Sequence, residues 1–146
     1  MKIAIGSDHA GYELKEKVKL LLSARNLDII DVGTHSAERA DYPDYAKKVS
    51  HEVIAQNIQG ILICGSGIGV SIVANRFKGI RAALCRAPED AEMSRKHNDA
   101  NVLCLGARFN KDEEIKNILD AWFENTFEGG RHADRLKKFS DLGDDC

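Results

Sequence analysis

The chain has 146 residues, 43% hydrophobic and 30% charged, which is the size and composition of one ordinary globular domain. Lysine and arginine number 21 against 23 acidic residues, so the net charge of −2 excludes the strongly basic class of nucleic-acid-binding proteins. No apolar stretch approaches the roughly 20 residues that span a bilayer, and the N-terminus lacks the apolar length of a secretory signal, so we expect a cytoplasmic protein with no membrane partner.

Five short apolar segments alternate with segments of helical periodicity. The apolar segments are nearly continuous in Ile, Val, Leu, Ala and Cys, as in strands covered on both faces: residues 2–6, 27–32, 60–65, 80–85 and 101–106. Helices are predicted over residues 11–25, 43–57, 68–77, 88–97, 111–124 and 131–141. This alternation predicts a single domain over residues 1–146, a Rossmann-like three-layer α/β/α sandwich around a five-stranded parallel sheet. We expect the strand order to begin 2-1-3, and the order of the last two strands stays undecided. We expect the tail from about residue 136 to be mobile.

Polar residues follow the first strand and precede the second helix, near the carboxyl edge where open α/β sheets bind ligands. Asp8 and His9 come directly after the first strand, and Asp8 is either a helix cap or part of a ligand site. Asp41 is the expected cap of the second helix, and Tyr42 beside it is placed to close over a ligand. Arg108, at the end of the fifth strand, is a phosphate ligand or a salt-bridge partner.

The third strand runs into the sequence CGSGIGVS at residues 64–71. A dinucleotide-binding glycine fingerprint fails because Val70 stands at its last glycine, and no Gly-Lys-Ser/Thr follows for a phosphate loop. The alternating glycines still leave backbone N–H groups unobstructed at a helix start, which suits an anion or oxyanion. Such donors favour a thiolate, so Cys64 is a candidate base or nucleophile, the alternative being a tight turn with a buried cysteine.

The remaining cysteines show no metal-ligand spacing, and Cys85 and Cys104 are interpreted as small buried hydrophobes. His97 and Asn98 end the fourth predicted helix, on the side of the sheet away from the strand carboxyl ends. That position is awkward for a site within one subunit, and the difficulty disappears if His97 serves a neighbouring subunit.

A basic segment begins the last predicted helix. Arg131 and Arg135 are four residues apart on one helix face, with His132 beside them, an arrangement suited to bidentate phosphate binding. The alternative is a solvated basic turn.

Taken together, these segments resemble the ribose-5-phosphate isomerase B family, which includes related allose- and galactose-phosphate isomerases. The resemblance is collinear from residue 1 to about 135 and rests on GSDHAG (6–11), DVGTHSAERADYPDYA (31–46), ILICGSGIGVSIVANR (61–76), GIRAAL (79–84), RKHNDANVLCLGAR (95–108) and FEGGRH (127–132).

The resemblance implies interconversion of D-ribose 5-phosphate and D-ribulose 5-phosphate through a cis-enediolate, in the non-oxidative pentose phosphate pathway, without metal or organic cofactor. It implies that Cys64 moves the proton between C2 and C1, that Ser66 relays protons between the oxygens, and that His97 opens the sugar ring. Ser66 stands where many members have threonine, which keeps the hydroxyl. The other implied substrate-binding residues are Asp8, His9, Tyr42, Gly65, Gly67, Ile68, Gly69, Asn98, Arg108, Arg131, His132 and Arg135.

The resemblance also implies a homodimer with shared active sites, with a dimer of dimers as an alternative. Two other functions stay open: the same chemistry on allose 6-phosphate or galactose 6-phosphate, and a non-catalytic module that only binds sugar phosphates.

Overall fold

The computed structural model describes residues 1–146 and contains five strands and six helices. The strands are β1 (Lys2–Ser7), β2 (Asp28–Asp31), β3 (Gln59–Cys64), β4 (Ala82–Leu84) and β5 (Val102–Gly106). The helices are α1 (Tyr12–Ser23), α2 (Tyr42–Gln56), α3 (Ile68–Ala74), α4 (Pro88–Asn98), α5 (Asp112–Glu124) and α6 (Arg131–Lys137). All predicted elements are present, although α3 and α6 end earlier than the sequence pattern suggests.

The sheet is parallel throughout and has the order β2-β1-β3-β5-β4. The predicted beginning 2-1-3 is confirmed, and β5 lies inside while β4 forms an edge. Every residue of β5 is buried, whereas the three residues of β4 are only partly buried. The fully covered strands β1, β3 and β5 therefore form the centre on which the loops of the carboxyl edge rest.

Helices cover both faces of the sheet, as the continuous apolar strands require. Helices α1, α4 and α5 pack on one face in a core that includes Val18, Ala91 and Trp122. Helices α2 and α3 pack on the other face in a core that includes Val49 and Val70. The predicted interpretation of Cys85 and Cys104 is confirmed, because each lies in one of these cores as a buried free thiol.

A buried ion pair fastens α1 to β2. The Lys15 side chain is 0% exposed, and its Nζ lies 2.6 Å from Asp31 Oδ2. Lys19 lies 2.8 Å from the same carboxylate oxygen, and the backbone N–H of Gly33 donates to Asp31 Oδ1 at 2.9 Å. Burial alone would raise the pKa of Asp31, but the hydrogen bonds from Lys15 and Lys19 outweigh it and hold that pKa below its ordinary value.

The C-terminal segment after α6 turns back onto the chain. The backbone N–H of Asp144 donates to Arg76 at 2.9 Å, and the N–H of Lys78 donates to Asp144 at 2.8 Å. These bonds seat the tail beside the end of α3, and the expected mobility of the tail stays a prediction.

Candidate active site

The loop between β3 and α3 makes its sharpest turn at Gly67. Gly67 has a φ of +77°, in the left-handed region that glycine adopts most easily. A Cβ atom at Gly67 would also come within 2.6 Å of Leu84 Cδ1 and 2.9 Å of the Leu105 carbonyl carbon. Glycine at position 67 is therefore required by the close approach of the loop to β4 and β5, as well as by the backbone angle.

The Cys64 thiol lies buried at the carboxyl end of β3, with hydrogen-bond donors close to it. The backbone N–H of Gly67 donates to Cys64 Sγ at 3.1 Å, and Ser66 Oγ accepts from the N–H of Ile68 at 3.1 Å. The N–H groups of Gly65, Ser66 and Gly69 have no acceptor within the chain. The loop thus carries a sulfur atom and several free donors within six consecutive residues, a combination that suits an anionic intermediate.

Two predicted binding residues flank this loop, and each touches it where a glycine leaves room. A Cβ at Gly65 would lie 2.9 Å from the guanidinium of Arg108, and a Cβ at Gly69 would lie 2.5 Å from the ring of Tyr42. The structure therefore brings both Arg108 and Tyr42 against the Cys64 loop.

Asp8 and His9 lie at the same edge, after the neighbouring strand β1. Asp8 is buried, its N–H donates to Ile63 at 3.3 Å, and its carboxylate accepts from the N–H of Gly11 at 3.0 Å. His9 Nδ1 lies 3.0 Å from the carbonyl oxygen of Ala40, which ties the loop before α2 to β1. Asp8 thus caps the turn before α1. Asp41 occupies the N-cap position of α2, but its side chain makes no capping bond.

The structure places five other predicted residues at the opposite edge of the sheet: His97, Asn98, Arg131, His132 and Arg135. Helix α4 leads into β5 and therefore ends where β5 begins. There the N–H of Gly60, at the start of β3, donates to Asn101 at 2.9 Å. Residues at the end of α4 lie at the amino edge, so one chain does not bring His97 to Cys64. We call the groups around Cys64 the thiol half and those around His97 the imidazole half.

The imidazole half is held together by the turn into α6. Gly129 and Gly130 have φ angles of +71° and +59°, and the N–H of Glu128 donates to Lys96 at 3.0 Å. As a result His132 stacks on His97, with ring centroids 4.2 Å apart. Burial, with a smaller contribution from the charge on His97, lowers the pKa of His132 below its ordinary value.

The sequence analysis missed Arg86 and Glu128. Arg86 follows β4, its guanidinium lies 3.8 Å from the ring of Phe109, and its Nη1 is buried beside Gly106 without a hydrogen-bond partner. Arg86 could have been predicted as a site residue because it lies just after the end of a strand, at the carboxyl edge of the sheet. Glu128 Oε1 lies 3.5 Å from His97 Nε2, a contact that depends on the packing of α6 and has no local sequence signal.

The core cysteines differ from Cys64 in chemistry as well as in position. Burial raises the pKa of the Cys85 thiol to about 12 and that of Cys104 well above the ordinary thiol value. Neither forms a thiolate near neutral pH, so Cys64 is the only buried cysteine placed next to free backbone donors.

A cavity of about 650 Å³ lies along the edge strand β4 and not at the Cys64 loop. It is lined by α4, β4 and the tail, and Asn98 is the only predicted site residue in its wall. The cavity is therefore better described as an open groove beside β4 than as an enclosed substrate pocket.

No helix has the length and apolar character needed to cross a bilayer.

A parallel α/β sandwich with a buried thiol, free N–H donors and an arginine at its carboxyl edge defines an enzyme of the Rossmann-like class that acts on a small anionic substrate. The chain belongs to the ribose/galactose isomerase family, whose sequence model matches residues 3–139.

Named relatives cover nearly the whole chain. Ribose-5-phosphate isomerase B of Escherichia coli is 49% identical over 137 residues, which cover 93% of this chain and 92% of that protein. The structure of ribose-5-phosphate isomerase B from Clostridium thermocellum matches with a TM-score of 0.94 at 48% identity, covering 97% of this chain and 96% of the other. That of the Mycoplasma genitalium enzyme with bound ribulose 5-phosphate matches with a TM-score of 0.91 at 40% identity, covering 95% and 93%.

Proposed function

We propose that this chain catalyses the reversible isomerisation of D-ribose 5-phosphate and D-ribulose 5-phosphate in the cytoplasm, as a step of the non-oxidative pentose phosphate pathway. The observation that carries the proposal is the Cys64 thiol, buried at a strand end beside three unpaired backbone N–H groups. Relatives that bear the name ribose-5-phosphate isomerase B share 40–49% of its residues and support the choice of substrate.

The thiol half suits the proton transfer of this reaction. The Cys64 thiolate takes the proton from C2, and the electron pair of that bond forms the C1–C2 double bond while the C1 carbonyl oxygen becomes negative. The same sulfur returns the proton to C1, the C2 oxygen becomes the carbonyl, and its hydroxyl proton passes to O1. Ser66 Oγ, on the same loop, is suited to relay that proton, and the unpaired N–H groups of Gly65, Ser66 and Gly69 are suited to stabilise the developing charge.

The imidazole half supplies what the thiol half lacks. A closed sugar ring needs an acid and base to open, a role suited to His97, with Asn98 beside it for the sugar hydroxyls. Arg131 and Arg135 carry two guanidinium groups on one turn of α6, suited to the phosphate. Tyr42 and Arg108 close the site from the thiol half, and Asp8, His9 and His132 complete the substrate contacts.

The two halves lie at opposite edges of one sheet, so we propose a homodimer in which the thiol half of each subunit faces the imidazole half of the other. The surface around β4 is suited to such an interface. Strand β4 is an edge strand, and exposed apolar side chains flank it on α3 (Ile68 and Ile72) and on α4 (Met93). A second copy seated there would cover this apolar surface.

The proposal is tested by a coupled assay of ribose 5-phosphate turnover on the wild type and on Cys64→Ala. We expect the substitution to lower kcat by about 10²–10⁴-fold, the usual cost of losing an acid or base. Cys146→Ala, which removes an exposed thiol at the C-terminus, is the matched control and should leave turnover unchanged.

Each alternative gives a distinct result. Faster turnover of allose 6-phosphate or galactose 6-phosphate would indicate a six-carbon substrate. Binding of sugar phosphate without turnover in the wild type would indicate a binding module. If ribose 5-phosphate turnover in Cys64→Ala stays within about tenfold of the wild type, Cys64 is not the base.

A further inference from the structure

Three side chains that commonly ligate metals meet in the imidazole half. The ring nitrogens of His97 and His132 and a carboxylate oxygen of Glu128 all lie within 4.8 Å of one another. His97 ends α4, His132 lies in the first turn of α6, and Glu128 belongs to the segment between α5 and α6. The bond from the N–H of Glu128 to Lys96 fixes that segment against α4. Three separate parts of the chain thus converge on one point.

The donor atoms are free to bind a ligand. No hydrogen bond within the chain engages a ring nitrogen of His132, although the residue as a whole is buried. His97 Nε2 lies 3.5 Å from Glu128 Oε1, which is longer than a good hydrogen bond. The ring of His97 is 38% exposed and the Glu128 carboxylate 52% exposed, so both can rotate toward a common ligand, whereas His132 is held by its packing.

We propose that His97, Glu128 and His132 form a binding site for a divalent transition-metal ion of the zinc type, and that the bound ion inhibits the isomerase. The binding stands on the side-chain geometry alone, whereas the inhibition rests on the proposed function. In the unbound chain these groups remain available for substrate.

The chemistry of the three donors decides which ions bind. Two imidazoles and one carboxylate, with a fourth position left to water, form a common zinc ligand set, with metal–ligand distances of about 2.0–2.2 Å. Imidazole nitrogen favours Zn²⁺, Co²⁺ and Ni²⁺, whereas Mg²⁺ and Ca²⁺ require mostly oxygen ligands. The site is therefore expected to discriminate against the alkaline-earth ions.

The surrounding charges make Glu128 decisive. Arg131 and Arg135 share α6 with His132 and repel a cation, whereas Lys96 is paired with Glu92 at 2.5 Å. Glu128 is the one anionic member of the three-residue cluster and offsets the repulsion from the two arginines. Its loss should therefore weaken the binding of the ion by more than the loss of one metal–ligand bond alone.

A bound ion would remove the lone pairs of His97 and His132 from proton transfer and substrate binding. Inhibition by Zn²⁺ should therefore be competitive with the sugar phosphate, and a chelator should reverse it. Mg²⁺ at the same concentration should have no effect.

The test measures metal binding directly by titrating the full-length protein with Co²⁺ and reading its visible absorption, in parallel with the effect of Zn²⁺ on turnover. Glu128→Gln keeps the size of the side chain and should weaken Co²⁺ binding by about tenfold or more. Glu124→Gln, an exposed glutamate at the end of α5, is the matched control and should bind as the wild type does. His97→Asn is a second variant that should weaken binding through a different donor.

The proposal is overturned if Glu128→Gln and His97→Asn bind Co²⁺ as tightly as the wild type. It is also overturned if the spectrum shows sulfur-to-cobalt charge transfer, which would assign the ion to Cys64 or Cys146. Co²⁺ binding to the cluster in a protein without isomerase activity would refute the proposed function but keep the metal site. Full isomerase activity together with no Co²⁺ binding would refute the metal site but keep the proposed function.

Discussion

Gly67 is subject to two separate constraints in the Cys64 loop. Its φ of +77° disfavours any other residue, and its Cα–H faces Leu84 and Leu105 at distances that leave no room for a side chain. Gly129 meets only the first constraint, because its φ is +71° but nothing lies within 4 Å of a Cβ built there. A comparison of substitutions at Gly67 and Gly129 therefore separates the cost of backbone strain from the cost of steric overlap.

We expect Gly67→Ala to lower the free energy of unfolding by about 2–5 kcal/mol, the sum of a left-handed alanine and an overpacked contact. Gly129→Ala should cost about 1–2 kcal/mol, since only the backbone term remains. Urea unfolding of both variants measures the difference. Equal losses would show that the loop yields to the added methyl group, so that the close approach of β4 and β5 is not what requires glycine.

The residues of the thiol half follow from a rule that a sequence can supply. Cys64, Asp8 and Arg108 each stand at the end of a strand or within two residues after it, and parallel strands end at one edge of a sheet. Arg86 obeys the same rule, yet its burial beside Gly106 depends on a neighbouring strand far away in the sequence. Glu128 depends on how α6 docks on α4, for which the sequence contains only the two glycines of the turn.

At the scale of elements, the apolar runs predict all five strands but not the order of the last two. The run IRAALC at 80–85 and the run NVLCLG at 101–106 are similarly apolar, and a right-handed crossover permits either beside β3. The difference lies in the packing: β5 is buried throughout, whereas β4 is short and only partly covered. The charged Arg81 just before β4 agrees with an edge position but does not require it.

The buried pair of Lys15 and Asp31 joins two elements, and its loss should be costly. Asp31→Asn leaves the ammonium of Lys15 buried without its main partner, so we expect a loss of about 3 kcal/mol at neutral pH. Lys17→Gln, which breaks the exposed pair with Asp112 on the same helix, should cost less than about 1 kcal/mol. Chemical denaturation of the three proteins at pH 7 provides the comparison.

The contribution of this pair also depends on pH. The pKa of Asp31 in the folded chain lies below its ordinary value of 3.8, so the unfolded chain binds a proton first as the pH falls. The stabilisation is present above that ordinary value and is lost as the pH falls through the lowered one. The wild type and Asp31→Asn should therefore begin to converge in stability below about pH 4 and become equal only below the lowered pKa. A constant difference across this range would assign the loss to packing.

At the scale of the whole molecule, the division of the site into two halves has a direct functional consequence. In the proposed two-fold dimer there are two active sites, and each would take Cys64 from one subunit and His97 from the other. Replacing either residue in both subunits damages both sites. In a heterodimer of Cys64→Ala and His97→Ala subunits, one site carries both substitutions and the other carries none.

We therefore expect two nearly inactive proteins to yield an active one. With a different affinity tag on each chain, co-expression and two-step purification isolate the heterodimer, which should recover about half of the wild-type turnover per dimer. A heterodimer of Cys64→Ala and Arg108→Ala is the matched control, because both changes fall in the thiol half and each site then carries one of them. Recovery in the first heterodimer but not in the second requires that Cys64 and His97 act from different subunits. No recovery in the first would place the two residues in one chain's site and remove the reason for a shared interface. Recovery in the second as well would show that Arg108→Ala leaves its own site active and would remove Arg108 from the thiol half.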